Sequence, residues 1–199
     1  MPRAPDRRQV LALLAAATVL PLRAQPAFGL PQLMQLLAQV QAGEATFTEV
    51  RHSSVLDRPV ESSGRLSFQA PDRFTRETLK PRSESITVDG NTVVMRQGSR
   101  SRTLQLDSVP EAAVIVEAVR GTLTGNREAI ERHFEAQVSG APAKWSLLLA
   151  PRAARLRELV TQVAVTGEQA ALREITVSMT GGDYSVMKIQ NATPTAGAR

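Results

Sequence analysis

The sequence contains no cysteine, which excludes disulfides, thiol catalysis and lipid attachment at a cysteine. It contains two histidines, His52 and His133, and no HExxH or related zinc-binding spacing surrounds them. Aromatic residues are few, with five Phe, one Trp and one Tyr, so a core must be built mainly from aliphatic chains. Beyond residue 24 no segment is long and apolar enough to span a membrane as a helix. No Gly-x-Ser-x-Gly elbow, phosphate-binding loop or dinucleotide fingerprint occurs. Glu44, Glu49 and Asp89 are scattered carboxylates that identify no glycosidase pair. Asn191-Ala192-Thr193 matches the glycosylation triplet, a pattern frequent by chance. His133 reads as a helix-end residue. These absences leave no visible catalytic or metal-binding residues. An unrecognised thioesterase-like hydrolase using His52 or His133 stays open as an alternative.

The first 24 residues carry the most specific signal. Arg3, Arg7 and Arg8 precede an apolar run from Val10 to Leu22, and Leu22-Arg23-Ala24 ends in a small residue. This is the pattern of a secretory signal peptide, and the run is shorter than the ~20 residues of a spanning helix. The competing reading, a buried N-terminal helix, lacks the expected polar stripe. Arg7-Arg8-Gln9-Val10-Leu11 also looks like part of a twin-arginine signal, and Asp6 before the pair leaves the export route open. Removal of residues 1–24 takes four arginines and one aspartate and lowers the net charge from +5 to +2. Nucleic-acid binding then loses its compositional support. The expected organisation is a signal peptide at 1–24, one domain at 25–192 and a loose tail at 193–199, placed in the periplasm.

Within that domain, spacings of three and four from Leu30 to Gln41 predict a helix with Gly43 as its stop. The period then becomes two. Ala45–Leu56, Gly64–Gln69 and Arg73–Leu79 read as strands. Ser85–Val88 and Thr92–Arg96 flank the hairpin signal Asp89-Gly90-Asn91, and Thr103–Leu106 adds a short strand. Pro110–Leu123 reads as a helix capped by Ser108, with Glu111 completing a capping box. Asn126–Arg132 reads as a second helix capped by Asn126. Strands follow at Phe134–Ser139, Lys144–Ala150, Val160–Thr166, Leu172–Met179 and Asp183–Ile189, with a basic interruption at Pro151–Arg157. Hairpin-length connections exclude a parallel sheet. The expected class is α+β, a strongly curved antiparallel sheet closed on one side by helices.

Several of these segments resemble the LolA-type periplasmic lipoprotein carriers. The resemblance rests on Ala45-Thr46-Phe47-Thr48-Glu49 and on Gly64-Arg65-Leu66-Ser67-Phe68-Gln69-Ala70-Pro71-Asp72-Arg73-Phe74. Asp89-Gly90, Trp145 to Pro151, Ile175-Thr176-Val177 and Asp183-Tyr184 complete it. It implies an incomplete, strongly curved antiparallel β-barrel of about 10–11 strands with helices covering the open side. It also implies a cavity for lipoprotein acyl chains or another acylated lipid, an inner-membrane transporter as donor, an outer-membrane acceptor, and no metal or organic cofactor. The expected protein is a non-catalytic monomer. The best-known carriers place an arginine immediately before the proline, where it helps hold the closed state. Here that position is Ala70.

Candidate cavity-wall residues are Phe47, Leu66, Phe68, Phe74, Val93, Met95, Leu147, Leu149, Val163, Val165, Ile175 and Val177. Candidate lid residues are Leu33, Met34, Leu37, Ile115, Val116 and Val119. Periodicity alone fits a filled core equally well, which leaves a second functional reading, an envelope binding or assembly protein of the same fold. Arg65, Arg73, Arg76, Lys80 and Arg82 form one basic stretch, and Arg96, Arg100 and Arg102 another. They suit either acidic partners and lipid headgroups or an ordinary solvated strand face.

Overall fold

The structure, a computed structural model, describes residues 28–196. The expected signal segment and residues 197–199 lie outside them. Helix α1 (Leu30–Leu37) opens with the Gly29 N–H donating to Gln32 Oε1 at 3.1 Å. Its stripe of Leu33, Met34 and Leu37 turns inward. The helix stops short of Gln41 because two strands compete for the chain. In β1 (Val40–His52), Val40 already pairs with Ala196 and Ala42 with Gln69. Backbone ladders on both sides outweigh a marginal helical turn, so Gly43 lies inside a strand.

β1 is followed by β2 (Val60–Gln69), β3 (Arg73–Lys80), β4 (Glu84–Asp89), β5 (Thr92–Gln97) and β6 (Arg100–Gln105). A 3-10 turn at Leu106–Ser108 leads into α2 (Pro110–Leu123) and α3 (Arg127–His133). β7 (Phe134–Ala141), β8 (Lys144–Pro151), the short α4 (Ala154–Arg157), β9 (Val160–Glu168), β10 (Ala171–Met179) and β11 (Tyr184–Ala196) complete the described chain. α4 occupies the basic interruption, and β11 runs to Ala196. Asn126 caps α3 as expected, its Oδ1 accepting from Ala129 N–H at 3.0 Å. Ser108 does not cap α2. It lies in the 3-10 turn and its hydroxyl donates back to the Gln105 carbonyl at 2.6 Å, which leaves Val109 at the cap position.

The eleven strands form one antiparallel sheet in the order β6-β5-β4-β3-β2-β1-β11-β10-β9-β8-β7. Two meanders, β1–β6 and β7–β11, are joined where the first strand pairs with the last. The expected strongly curved, incomplete barrel is incorrect. The sheet is open and not strongly curled, and its end strands β6 and β7 stand at opposite edges without pairing. After β6 the chain leaves the sheet through α2 and α3 and rejoins it at the far edge. Hairpin signals report which consecutive strands pair, but closure depends on whether the two outermost strands meet.

One face of this sheet is apolar. Strand alternation places Trp145, Leu147 and Leu149 of β8 and Val163 and Val165 of β9 on it, where they pack with α1 and with Ile130 of α3 in the main core. Gly167 faces Trp145 across the β8–β9 ladder, and a Cβ there would lie 2.2 Å from the indole ring. The absent side chain admits the ring, whose Nε1 donates to the Gln169 carbonyl at 2.9 Å. A second, smaller cluster joins Val88, Val93 and Leu106 to Ala112, Ala113 and Val116 of α2.

Candidate functional site

Between these two clusters the same face is not filled. A cavity of about 420 Å³ lies beneath α2, bounded by β1–β4 and by β10 and β11. Cross-strand register explains its walls. Leu66 of β2 stands opposite Ala45 of β1 and Arg76 of β3, while Phe68 stands opposite Gly43 and Phe74. Phe74 in turn faces Val88 of β4. From the other half of the sheet, Ile175 and Val177 face Met187 and Ser185 of β11. These positions share one face because strand side chains alternate with period two. α2 lays Ile115, Val116 and Val119 over the space, all three half-buried.

The expected wall residues therefore separate into groups. Leu66, Phe68, Phe74, Ile175 and Val177 line the cavity. Leu147, Leu149, Val163 and Val165 are instead packed solid in the main core, and Val93 belongs to the smaller cluster. Phe47 is buried beneath a guanidinium, and Met95 is 39% exposed. Among the expected lid residues, Ile115, Val116 and Val119 lie over the cavity, whereas Leu33, Met34 and Leu37 of α1 are locked in the core. A larger depression of about 1040 Å³ is mixed in character. Its polar residues Thr46, Arg65 and Glu77 are cross-strand neighbours on the opposite side of the sheet.

The cavity contains one polar feature that the spacing pattern does not single out. Glu49 of β1, 6% exposed, accepts from Arg76 Nη2 at 2.6 Å, and Ser62 bridges the two. The Arg76 guanidinium carbon lies 4.8 Å from the centre of the Phe47 ring. The basic stretch is thus divided by the pleat. Arg65 pairs with Glu77 on the outer side at 3.5 Å, while Arg76 turns inward. Alternation with Phe74 was the available signal, since Arg76 follows it by two residues.

α2 is tied down by Arg120. Its Nη2 donates to the Gly90 carbonyl in the β4–β5 turn at 2.5 Å, its Nη1 to Glu117 at 2.6 Å, and its guanidinium carbon lies 5.7 Å from the Phe74 ring centre. Ala70 offers no comparable reach.

The two histidines do not enter the cavity. His52 stacks on Tyr184 with ring centres 4.4 Å apart, and His133 ends α3. Next to Tyr184, Asp183 accepts from the Ser53 hydroxyl at 2.6 Å and from Ser54 N–H at 2.7 Å. The Ser53 bond, then those from Ser54, hold its carboxyl below the ordinary aspartate range. Among the described residues no group of three His, Asp or Glu side chains is placed to hold a metal, and no helix is long and apolar enough to cross a membrane.

Solved structures of very low sequence identity superimpose on this chain to different extents. A DUF1329 family protein from Desulfovibrio piger superimposes with a TM-score of 0.50 at 8% identity, over 85% of this chain and 92% of that one. A LolA superfamily protein from Nitrosomonas europaea gives a TM-score of 0.45 at 8% identity, over 86% and 96%. The MucA/MucB complex of Pseudomonas aeruginosa gives 0.48 at 13% identity, over 85% of this chain and 58% of that one. No curated protein matches the chain in sequence. Residues 23–198 match the family described as outer membrane lipoprotein carrier protein LolA-like, and the chain belongs to that family.

Proposed function

We infer that this protein is a non-catalytic periplasmic carrier. It shelters the acyl chain of a lipoprotein or related acylated molecule beneath α2, between an inner-membrane donor and an outer-membrane acceptor. The observation that carries this reading is the largely apolar cavity of about 420 Å³ between α2 and the sheet. Its size falls within the roughly 300–1,000 Å³ of small-molecule sites.

Removing an alkyl chain from water yields about 0.8 kcal/mol per CH₂, or about 12 kcal/mol for sixteen carbons before ordering costs. A carrier therefore needs apolar walls more than specific polar contacts. It also needs a cover that moves. α2 suits that role better than α1, because its three cavity-facing residues are half-buried while those of α1 are fully enclosed. The α2 N-terminus has no side-chain cap, so its attachment depends on packing and on Arg120.

The test is uptake of a fluorescent diacylated peptide by the delipidated protein, with mass spectrometry of material extracted from the protein as purified. Saturable uptake, abolished in Val116→Trp, supports the carrier. No uptake and no extracted lipid would leave an envelope binding protein that uses the same family fold.

A further inference from the structure

The Arg76–Glu49 pair, its carboxylate buried and its arginine side chain 25% exposed, leaves guanidinium donors unmet. Of the three guanidinium nitrogens, only Nη2 has protein acceptors, Glu49 at 2.6 Å and Ser62 at 3.2 Å. Nε is buried without an acceptor, whereas Nη1, with no acceptor among the described residues, lies on the solvent-accessible part of the side chain. Both charged residues border the cavity, and Leu66, Ile86 and Phe74 surround Arg76 on the neighbouring register positions. An arginine N–H buried in such a place is costly unless an acceptor meets it, and an unmet one calls for a physical reason; the Nε of Arg120 is likewise buried without an acceptor. Around Arg76, the apolar neighbours Leu66, Ile86 and Phe74 supply none.

We propose that this corner of the cavity receives the carbonyl oxygen of an acyl ester or amide, with the attached alkyl chain lying under α2. The charge balance selects that group. Glu49 already neutralises Arg76, so a free carboxylate would bring a second anion beside Glu49 in a poorly solvated space. A neutral carbonyl accepts from the guanidinium and adds no charge. A saturated hydrocarbon leaves the donors unmet. The contact with the Phe47 ring at 4.8 Å and the bond to Glu49 hold the guanidinium in place before the ligand arrives. This proposal rests on the carrier reading and adds to it the residue that holds the acyl carbonyl.

The experiment measures displacement of N-phenyl-1-naphthylamine from the purified protein by four probes with a matched chain: methyl palmitate, N-methylpalmitamide, palmitate and hexadecane. Either neutral acyl derivative should bind about tenfold or more tightly than hexadecane, the value of one hydrogen bond to a charged donor. The better of the two identifies ester or amide as the source. In Arg76→Met that advantage should disappear while hexadecane affinity is unchanged. Because Arg76→Met strands Glu49, the paired variant Arg76→Met with Glu49→Gln is measured as well, with circular dichroism as the folding control. It should give the same loss of discrimination. Equal binding of hexadecane and the acyl derivatives by the native protein would overturn the proposal and leave the carrier intact. Tighter binding of palmitate than of either derivative would also overturn it. Absence of binding by all four would overturn both.

Discussion

Leu149→Ala and Ile175→Ala each delete three side-chain carbons from the same face of the same sheet, yet they should differ in cost. Leu149 is fully enclosed in the main core. Its truncation creates a new void, and large-to-small changes of that kind cost about 3–5 kcal/mol. Ile175 is half-buried and already borders empty space. Its truncation enlarges an existing cavity and forfeits only part of the transfer term, about 1 kcal/mol from the 1.5–3 kcal/mol of complete burial. The gap of at least about 2 kcal/mol corresponds to about 4–8 °C in Tm for a domain of this size. Urea titration of the lipid-free proteins, with a common slope for both variants, reads the difference directly. Lipid must be removed first, since bound ligand adds its own stabilisation. Equal losses for the two variants would mean that the space beneath α2 is filled in solution, and the reasoning would fail.

Other positions give independent checks. Gly64→Ala should prevent stable folding, because a Cβ there would lie 1.9 Å from the Glu77 carbonyl oxygen, a backbone atom that cannot rotate away; loss of soluble protein or of the cooperative transition reports it. Arg120→Met should lower global stability by only about 1.5–3 kcal/mol, the range for a hydrogen bond to a charged group. It should nevertheless speed amide exchange in α2 and release of a bound acyl probe, since the tie to Gly90 is gone. Asp183 has a depressed pKa, so its contribution is present above the unfolded aspartate pKa and is lost as pH falls through the lower folded value. The Ser54 amide resonance should therefore titrate below the ordinary aspartate range, and Asp183→Asn should remove that titration.

Much of the element order was legible from local chemistry. Pro110 to Leu123 carries a helical apolar face between a leading proline and later glycines, and its boundaries coincide with α2. Asp89-Gly90-Asn91 marks the β4–β5 turn, and Asn126 caps α3. Errors arose where distant partners decide. Val40 and Gln41 fit the helical period but belong to β1, which pairs with β2 and, from the far end of the chain, with β11. Ser108 and Glu111 have capping-box spacing, but the preceding 3-10 turn draws the serine back to Gln105. Whether the sheet closes into a barrel depends on β6 and β7, and no local signal reports on their separation.

The candidate site was legible only as an apolar face. Leu147 and Ile175 look equivalent in an alternating pattern, yet one lies in the packed core and the other borders the cavity. What separates them is the position of α1 and α2 above the sheet, a tertiary fact. Along the chain, Arg76 groups with its basic neighbours. Read by pleat, it falls on the face of Phe74, where Glu49 from a non-adjacent strand meets it. Buried ion pairs of this kind leave little trace in a sequence, since each partner looks like an ordinary strand-surface residue.

The central claim is that an alkyl chain occupies the space between α2 and the sheet. The most direct measurement is the anomalous scattering of a palmitoyl ester brominated near its chain terminus, in crystals of the complex. The account predicts a bromine peak enclosed by Leu66, Val116 and Ile175. A peak confined to the exposed β1–β2 loop around Val55 and Leu56, with the space beneath α2 unchanged, would contradict it.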